Sequence, residues 1–302
     1  MKKVLITGLS GFLGWNVARA IRSRYRVFGT YLDHQVNLPD VETMAFDLSD
    51  LAKIPKLVET ISPDFIVHTA AFSNPDFCET HHKEALVLNT FATRELAKVA
   101  SRVNCHLIYI STDFVFDGHK GEYSEADTPA PINYYGRVKL LGELEITNYW
   151  SQYVTLRIGT LYGRGHEFRR NFYEKLETDL VRGLSHDCIF DQYRTFLLVD
   201  DAVDAILRFI ENRQTKGLFH LGGPERVSRF DFAAKFCSVA GLSTNLLRKV
   251  RLADANLAAV RPTDCSLNSD KIKRTLDLSP TPLEPAFRKL WVESPSRAGK
   301  AD

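Results

Sequence analysis

The stretch Val4-Leu5-Ile6-Thr7-Gly8-Leu9-Ser10-Gly11-Phe12-Leu13-Gly14 decides how the rest of the chain is read. A short run rich in β-branched residues passes straight into three glycines spaced three apart, and the segment from Phe12 to Arg24 then has helical apolar spacing. Strand, glycine turn and helix in that order bring backbone N–H groups and a helix N-terminus to a point where a pyrophosphate can approach closely. A packing turn without a ligand is the plain alternative, and the flanking strand and helix argue against it.

The same rhythm continues downstream. Val27 to Tyr31, Thr43 to Phe46, Asp64 to His68, His106 to Ile110 and Tyr153 to Arg157 read as further strands. Between them Leu51 to Ile61 has a helical pattern despite Pro55, and Cys78 to Val103 has the spacing of one long amphipathic helix. Strands alternating with helices predict right-handed βαβ crossovers, hence an α/β fold with a doubly wound parallel sheet of the Rossmann type. Beyond residue 160 the rhythm loosens. Phe168 to Gly183, Asp200 to Asn212, Phe230 to Val239 (capped by Ser228 and ending near Gly241) and Thr281 to Trp291 read as helices, and Leu218 to Leu221 as a strand. The expected organisation is a dinucleotide-binding domain over 1–158 with a return excursion near 190–222. A smaller C-terminal substrate lobe takes 159–189 and 223–293, and 294–302 form a flexible tail.

Composition narrows the function classes. The 302 residues carry a net charge of +2, too little to point to nucleic acid or an anionic membrane as partner. No apolar run approaches the roughly 18 residues of a membrane span, and the N-terminal apolar run stops at Thr7-Gly8, too early for a signal peptide. Cys78, Cys105, Cys188, Cys237 and Cys265 form no CxxC pair. They read as reduced, buried thiols of a cytoplasmic protein without a metal site.

The chemistry concentrates in two places. Tyr135 and Lys139 stand four apart on a helix after the fifth strand, so they share a face. An ammonium near a phenol lowers the phenol's pKa and makes it a usable general acid. Tyr134 is excluded because Val138, not a lysine, lies four residues on. Upstream, Ser111-Thr112-Asp113-Phe114 closes the fifth strand, where a hydroxyl faces the ligand crevice. Thr112 is the candidate to bond a substrate carbonyl, with Ser111 turned away; simple strand termination is the alternative. At the end of the second strand stands Tyr31, where an acid would hold an adenine-ribose 2′-hydroxyl, with Asp33 either a ribose ligand or a solvated loop residue. No arginine follows, although His34 is close. Tyr31 favours NADPH, with NADH also usable.

The GxxGxxG spacing resembles that of the short-chain dehydrogenase/reductases, and the chain is similar to one extended family among them, the dTDP-4-dehydrorhamnose reductases. The resemblance is carried by Ser111 to Gly118, Glu122-Tyr123-Ser124-Glu125, Pro131 to Glu143, Gly217 to Pro224, Ser228-Arg229-Phe230, Arg261 to Leu267 and Leu283-Glu284, nearly the whole chain to Trp291. It implies NAD(P)H-driven reduction of the 4-keto group of a nucleotide-linked 6-deoxy sugar, giving dTDP-L-rhamnose in that family's reaction. Tyr135 would supply the proton, Lys139 would lower its pKa and hold the ribose, and Thr112 would polarise the ketone. The implied cofactor residues are Gly8, Ser10, Gly11, Phe12, Leu13, Gly14, Tyr31, Asp47, Leu48, Ala70 and Ala71, with Tyr135 and Lys139. Implied on the substrate side are Thr112, Asp113 and Phe114. A more distant similarity to nucleotide-sugar epimerases adds Arg194 and Arg261 as diphosphate ligands, each otherwise a solvated charge. Asn89 matches the family's structural asparagine, a helix kink being the bland alternative.

The departures are informative. Val138 replaces a serine, and Asp191-Gln192-Tyr193-Arg194-Thr195 leads into Phe196-Leu197-Leu198 where the family has a proline-threonine pair, which leaves the sugar open. Related dehydratases have a glutamate after the aspartate; here Phe114 follows Asp113, which argues against elimination chemistry. Two other readings stand: an epimerase with the same tyrosine and lysine, and a non-catalytic dinucleotide-binding subunit resembling the β subunit of methionine adenosyltransferase. A nucleoside-diphosphate sugar is the expected partner, and a homodimer is among the assemblies allowed.

Overall fold

The computed structural model describes residues 1–166 and 170–294. In chain order the elements are β1 (Lys3–Thr7), α1 (Phe12–Ile21), β2 (Arg26–Tyr31), β3 (Val41–Ala45), α2 (Ile54–Ile61), β4 (Phe65–His68), α3 (Pro75–Thr80), α4 (His82–Leu86), α5 (Ala92–Arg102), β5 (His106–Thr112), α6 (Tyr134–Tyr149) and β6 (Tyr153–Ile158). There follow β7 (Thr160–Tyr162), α7 (Phe172–Val181), β8 (His186–Ile189), β9 (Tyr193–Leu198), α8 (Val199–Glu211), β10 (Gly217–Leu221), β11 (Arg226–Ser228), α9 (Arg229–Ala240), β12 (Leu247–Val250), α10 (Asp270–Leu276) and α11 (Leu283–Val292).

Seven parallel strands form the main sheet in the order β10-β6-β5-β4-β1-β2-β3. The chain runs from β1 out to β3, then returns to β4 on the other side of β1, so the strand order reverses between β1 and β4. A crevice opens outside the carboxyl ends of the strands at such a point. Side chains alternate along each strand. Val4 and Ile6 face a core shared with Leu13, Val17 and Ile21 of α1 and Ile206 and Phe209 of α8. Leu5, Ile66 and Leu107 face the opposite one, under Val58 of α2 and Leu96 and Val99 of α5. Both faces of the sheet are therefore covered, as near-continuous apolar strands require.

A third core, built on Tyr162, Tyr173, Phe196, Phe232, Phe236 and Phe287, lies under α7, α9 and α11. It carries the three-stranded sheet β11-β9-β7 and the parallel pair β12-β8. Between these elements the chain returns to the main sheet through α8, which packs on α1, and β10, which pairs with β6. Ser228 caps α9 through a reciprocal bond with Asp231, and Gly241 ends it in the left-handed conformation.

Two helices differ from the sequence reading. Residues 78–103 are not one helix: α3 and α4 precede a π-helical turn at Val87–Phe91, and only then does α5 begin. The extra residue in that turn lets the Asn89 side chain reach sideways, accepting from the Phe72 N–H at 2.9 Å and donating to the Phe72 carbonyl at 3.0 Å. Pro55 is accommodated in the first turn of α2, after a 3₁₀ turn at Leu51–Lys53, where its missing N–H costs nothing. Phe168, the expected start of the helix before Gly183, and residues 295–302 of the expected tail lie outside the described residues; the described helix starts at Phe172 behind an Asn171 cap.

Candidate active site

The crevice floor is built by the glycine turn and the loop after β4. Gly8 has φ +75°, and a Cβ there would lie 2.8 Å from both the N and Cα of Ala70, so the turn and the Ala70-Ala71 loop touch backbone to backbone. A Cβ on Gly14 would collide with the Gly8 carbonyl. The N-cap of α1 is Gly11, which offers no side-chain cap, and the first turn, with Phe12 and Leu13, holds no acid. By contrast α6, α7 and α9 are all capped by asparagine or serine side chains. The N-terminal amides of α1 are thus left without a side-chain acceptor, which fits a bound anionic group such as a pyrophosphate. Ser10 is half-buried in this turn. Tyr31 and Phe46 lie side by side where β2 and β3 end, joined by a bond from the Phe46 N–H to the Tyr31 carbonyl (2.9 Å). Beside them Asp47 is exposed and accepts from the Ser49 N–H at 2.8 Å, while Leu48 is buried.

The second wall is α6. Asn133 caps it, accepting from the Gly136 N–H at 2.9 Å and donating to the Val260 carbonyl at 3.0 Å, so the start of this helix is tied to the segment that carries Arg261. Gly136 is packed on β5's exit: a Cβ there would collide with the Phe114 carbonyl oxygen. Tyr134 leaves the crevice, stacking on His82 with ring centroids 3.9 Å apart. Tyr135 faces Phe114 edge-on at 5.8 Å. Burial raises its phenol pKa, and a hydrogen bond with the Thr112 hydroxyl opposes that rise.

Lys139 does not do what its spacing from Tyr135 suggests. Its Nζ donates to the Ile110 carbonyl at 2.7 Å and lies 4.0 Å from the centroid of Tyr109. Burial brings its pKa down to about 7, with the Glu143 carboxylate pulling it back up. The two side chains share a helix face, but the ammonium is turned to the backbone of β5. Ser111 points away from Thr112, donating to Glu143, which also holds Arg157 in a buried fork at 2.6–3.2 Å.

The substrate-side residues converge on Phe114. Asp113 accepts from Thr112 at 3.1 Å and pairs with Arg194 of β9 at 2.7 Å, both side chains being almost fully buried. Burial raises the Asp113 pKa against the attraction of Arg194. The Arg194 guanidinium lies 4.1 Å from the Phe114 centroid and that of Arg261 6.0 Å. Arg261 is paired with Asp76 at 2.7 Å. Neither arginine is a solvated surface charge; each already has a carboxylate. A third, Arg229 at the start of α9, lies in the Ser228-Arg229-Phe230 run that carries part of the resemblance, but nothing in the sequence gives it a ligand role. A lone arginine after a capping serine carries no signal there, because its neighbours come from β9 and from residues 261–265.

A cavity of about 720 Å³ lies at the opposite end of the sheet, between Ser101, Trp150, Tyr153 and Lys216. Tyr153 and Gly217 open β6 and β10, so it sits at the amino ends of the strands and shares nothing with the acid–base groups. Among the described residues no group of three or more His, Cys, Asp or Glu could hold a metal ion, and no helix is long and apolar enough to cross a membrane.

Likenesses to known proteins join this geometry. The family model described as the RmlD substrate binding domain matches residues 1–294. A probable low-salt glycan biosynthesis reductase of Haloferax volcanii is 30% identical over 283 residues, covering 92% of this chain and 94% of that one. The methionine adenosyltransferase 2 subunit beta of Mus musculus is 31% identical over 311 residues, covering 96% and 87%. Among solved structures, the dTDP-4-dehydrorhamnose reductase of Bacillus anthracis in complex with NADP superposes with a TM-score of 0.85 at 27% identity, covering 97% of this chain and 100% of that one.

Proposed function

Because the chain belongs to the RmlD substrate binding domain family, we propose that it is an NAD(P)H-dependent oxidoreductase that reduces the 4-keto group of a nucleotide-linked 6-deoxy sugar. The observation that carries this reading is the meeting of Thr112 and Tyr135 at the carboxyl end of β5, with Lys139 buried one helical turn on. A hydroxyl donor and a phenol at one crevice are what proton delivery to a carbonyl oxygen needs, and the Lys139 ammonium lies behind them on the β5 backbone. The reductase of Bacillus anthracis with its NADP, and the Haloferax volcanii reductase, support the same chemistry.

Gly8, Gly11, Gly14, the first turn of α1, Tyr31, Asp47, Leu48, Ala70 and Ala71 would hold the dinucleotide, with NADPH preferred because Tyr31 stands where an acid would repel a 2′-phosphate. The bound cofactor would supply hydride to the carbonyl carbon. Thr112 would turn its hydroxyl from Asp113 to donate to the carbonyl oxygen, and Tyr135 would give that oxygen its proton, leaving a phenolate. Lys139, when protonated and swung from the Ile110 carbonyl towards Tyr135, would stabilise the phenolate, which regains its proton from solvent. Residues 1–158 with α8 and β10 form the dinucleotide side in this reading, and the remainder the substrate lobe. The unpaired thiols fit a cytoplasmic setting. A homodimer belongs to the same proposal, supported by Leu141, Leu144 and Tyr149 exposed on α6.

The test is oxidation of NADPH and NADH by the purified protein with dTDP-, UDP- and GDP-linked 4-keto sugars. Reduction of at least one sugar upholds the proposal. Turnover of a sugar nucleotide without net cofactor consumption would replace it with the epimerase reading. No turnover, with tight dinucleotide binding, would favour the subunit role to which the mouse relative points. Dissociation constants decide the cofactor: NADH binding tenfold tighter than NADPH, about 1.4 kcal/mol, would reverse the preference.

A further inference from the structure

Three segments far apart in sequence run side by side near Phe114, and each brings an arginine. β9 is the middle one. Its Arg194 and Tyr193 pair with Val227 and Ser228 of β11, immediately before Arg229. On its other edge Tyr193 donates to the Thr263 carbonyl at 2.7 Å and accepts from the Cys265 N–H at 3.2 Å, two to four residues beyond Arg261.

Their charges do not balance. Arg194 has Asp113, Arg261 has Asp76, and the neighbouring Arg226 has Asp264 at 2.6 Å. Arg229 has no carboxylate among the described residues. Its guanidinium lies 4.6 Å from the Phe172 centroid, and its Nε is buried without a hydrogen-bond partner. Burial, then the like charge of Arg194, and further on that of Arg261, push its pKa down to about 10. At neutral pH it is still a cation. A partly buried cation beside two others is a net cost to the fold, and an apolar side chain of similar length on Phe172 would cost less. Such a charge is stabilised only when an anion arrives.

We propose that Arg229 is the principal anchor for the phosphate groups of the substrate. Arg194 and Arg261, already neutralised, act mainly to position Asp113 and the Asp76 segment around it. The planar fork of Arg229 suits two phosphate oxygens, and the ligand class is a nucleoside diphosphate. This rests on the reading of the substrate as a nucleotide sugar.

The experiment is calorimetric titration of the NADP⁺-saturated protein with dTDP and UDP, and separately with thymidine and uridine. Wild type, Arg229→Gln and Arg229→Lys are compared, with NADPH affinity and thermal melting as checks on the fold. Arg229→Gln should bind the diphosphates on the order of 10–100-fold more weakly. It should bind the nucleosides and NADPH as wild type does, and melt no lower. Arg229→Lys, which keeps the charge and loses the fork, should fall between. Diphosphate binding within twofold of wild type in both variants overturns the proposal, as does an equal loss for nucleosides and diphosphates, or no diphosphate binding by the wild type. If diphosphate binding depends on Arg229 and no keto sugar is reduced, the anion site stands and the reductase reading fails. If keto sugars are reduced and Arg229→Gln binds dTDP normally, the reverse holds.

Discussion

Lys139 enters the interior with its ammonium bonded to the Ile110 carbonyl, and burial brings its pKa down to about 7. The unfolded value is about 10.4, so the folded state gives up this proton first. Below pH 7 both states hold the proton, and the cost of burying the cation is felt in full. That cost is relieved as pH rises from about 7 towards 10. Lys139→Met should therefore abolish most turnover and still unfold at a higher urea concentration than wild type at pH 6, with the gap closing by pH 9. A Lys139→Met protein less stable than wild type at pH 6 would contradict this. If the ammonium is needed for turnover, wild-type activity should also fall as pH rises through about 7. Tyr135 and Tyr134 form an internal control beside it, one bonded to Thr112 and the other stacked on His82. Tyr135→Phe should lose about 10²–10⁴-fold in turnover with cofactor binding kept, Thr112→Val about 10²–10³-fold, and Tyr134→Phe little. Single-turnover NADPH oxidation reads all three, and a dead Tyr134→Phe with an active Tyr135→Phe would reverse the assignment.

α6 is the element on which the candidate site hangs, and its position is set at its first turn. Asn133 holds the Gly136 amide and the Val260 carbonyl, and Gly136 leaves room for the Phe114 carbonyl. Because the obstruction is backbone, it cannot rotate away, so Gly136→Ala should cost about 1–3 kcal/mol of stability and displace Tyr135 from Thr112. Urea midpoints and turnover measured together check this; a variant as stable and active as wild type would show that β5's exit is not fixed against the helix. The sheet elements that bear on this site are legible in the sequence because each is a short apolar run bounded by a turn signal and set between helical patterns, as in Val4 to Gly8. The strands β7, β8, β9, β11 and β12 have three to six residues, too few to show a period against aromatic neighbours such as Phe196. The break at Val87–Phe91 is hidden for another reason: a π turn inserts one residue without disturbing apolar spacing on either side. The arginines mark the same limit. Arg194 and Arg261 stand out only through resemblance, whereas the imbalance at Arg229 exists only once β9, β11 and residues 261–265 are neighbours.

Across the molecule, three buried histidines among the described residues are held neutral, and acid stability follows from them. His68 lies between the Thr7 and Thr93 hydroxyls at 2.7 and 3.0 Å, with its pKa lowered to about 3 by burial and the Lys139 charge. His220 contacts the Tyr123 carbonyl and Arg157, and His106 has both ring nitrogens buried without a partner; burial lowers each to about 4. The unfolded chain takes up these protons at about pH 6.5. The stability tied to the neutral rings is therefore intact above that value. It is lost as pH falls from about 6.5 towards 4, because only the unfolded state gains protons in that window. Three protons set a slope of up to about 4 kcal/mol per pH unit. Urea unfolding at pH 7.5, 6.0 and 5.0 should show this steepening. His106→Leu removes one titrating ring and two unpaired buried nitrogens, beside Phe65 and near Arg213 and Lys216. It should raise stability at pH 5 more than at pH 7.5 and flatten the slope by about a third. A variant whose stability falls in parallel with wild type across this range would show that the His106 ring is not held neutral by the fold.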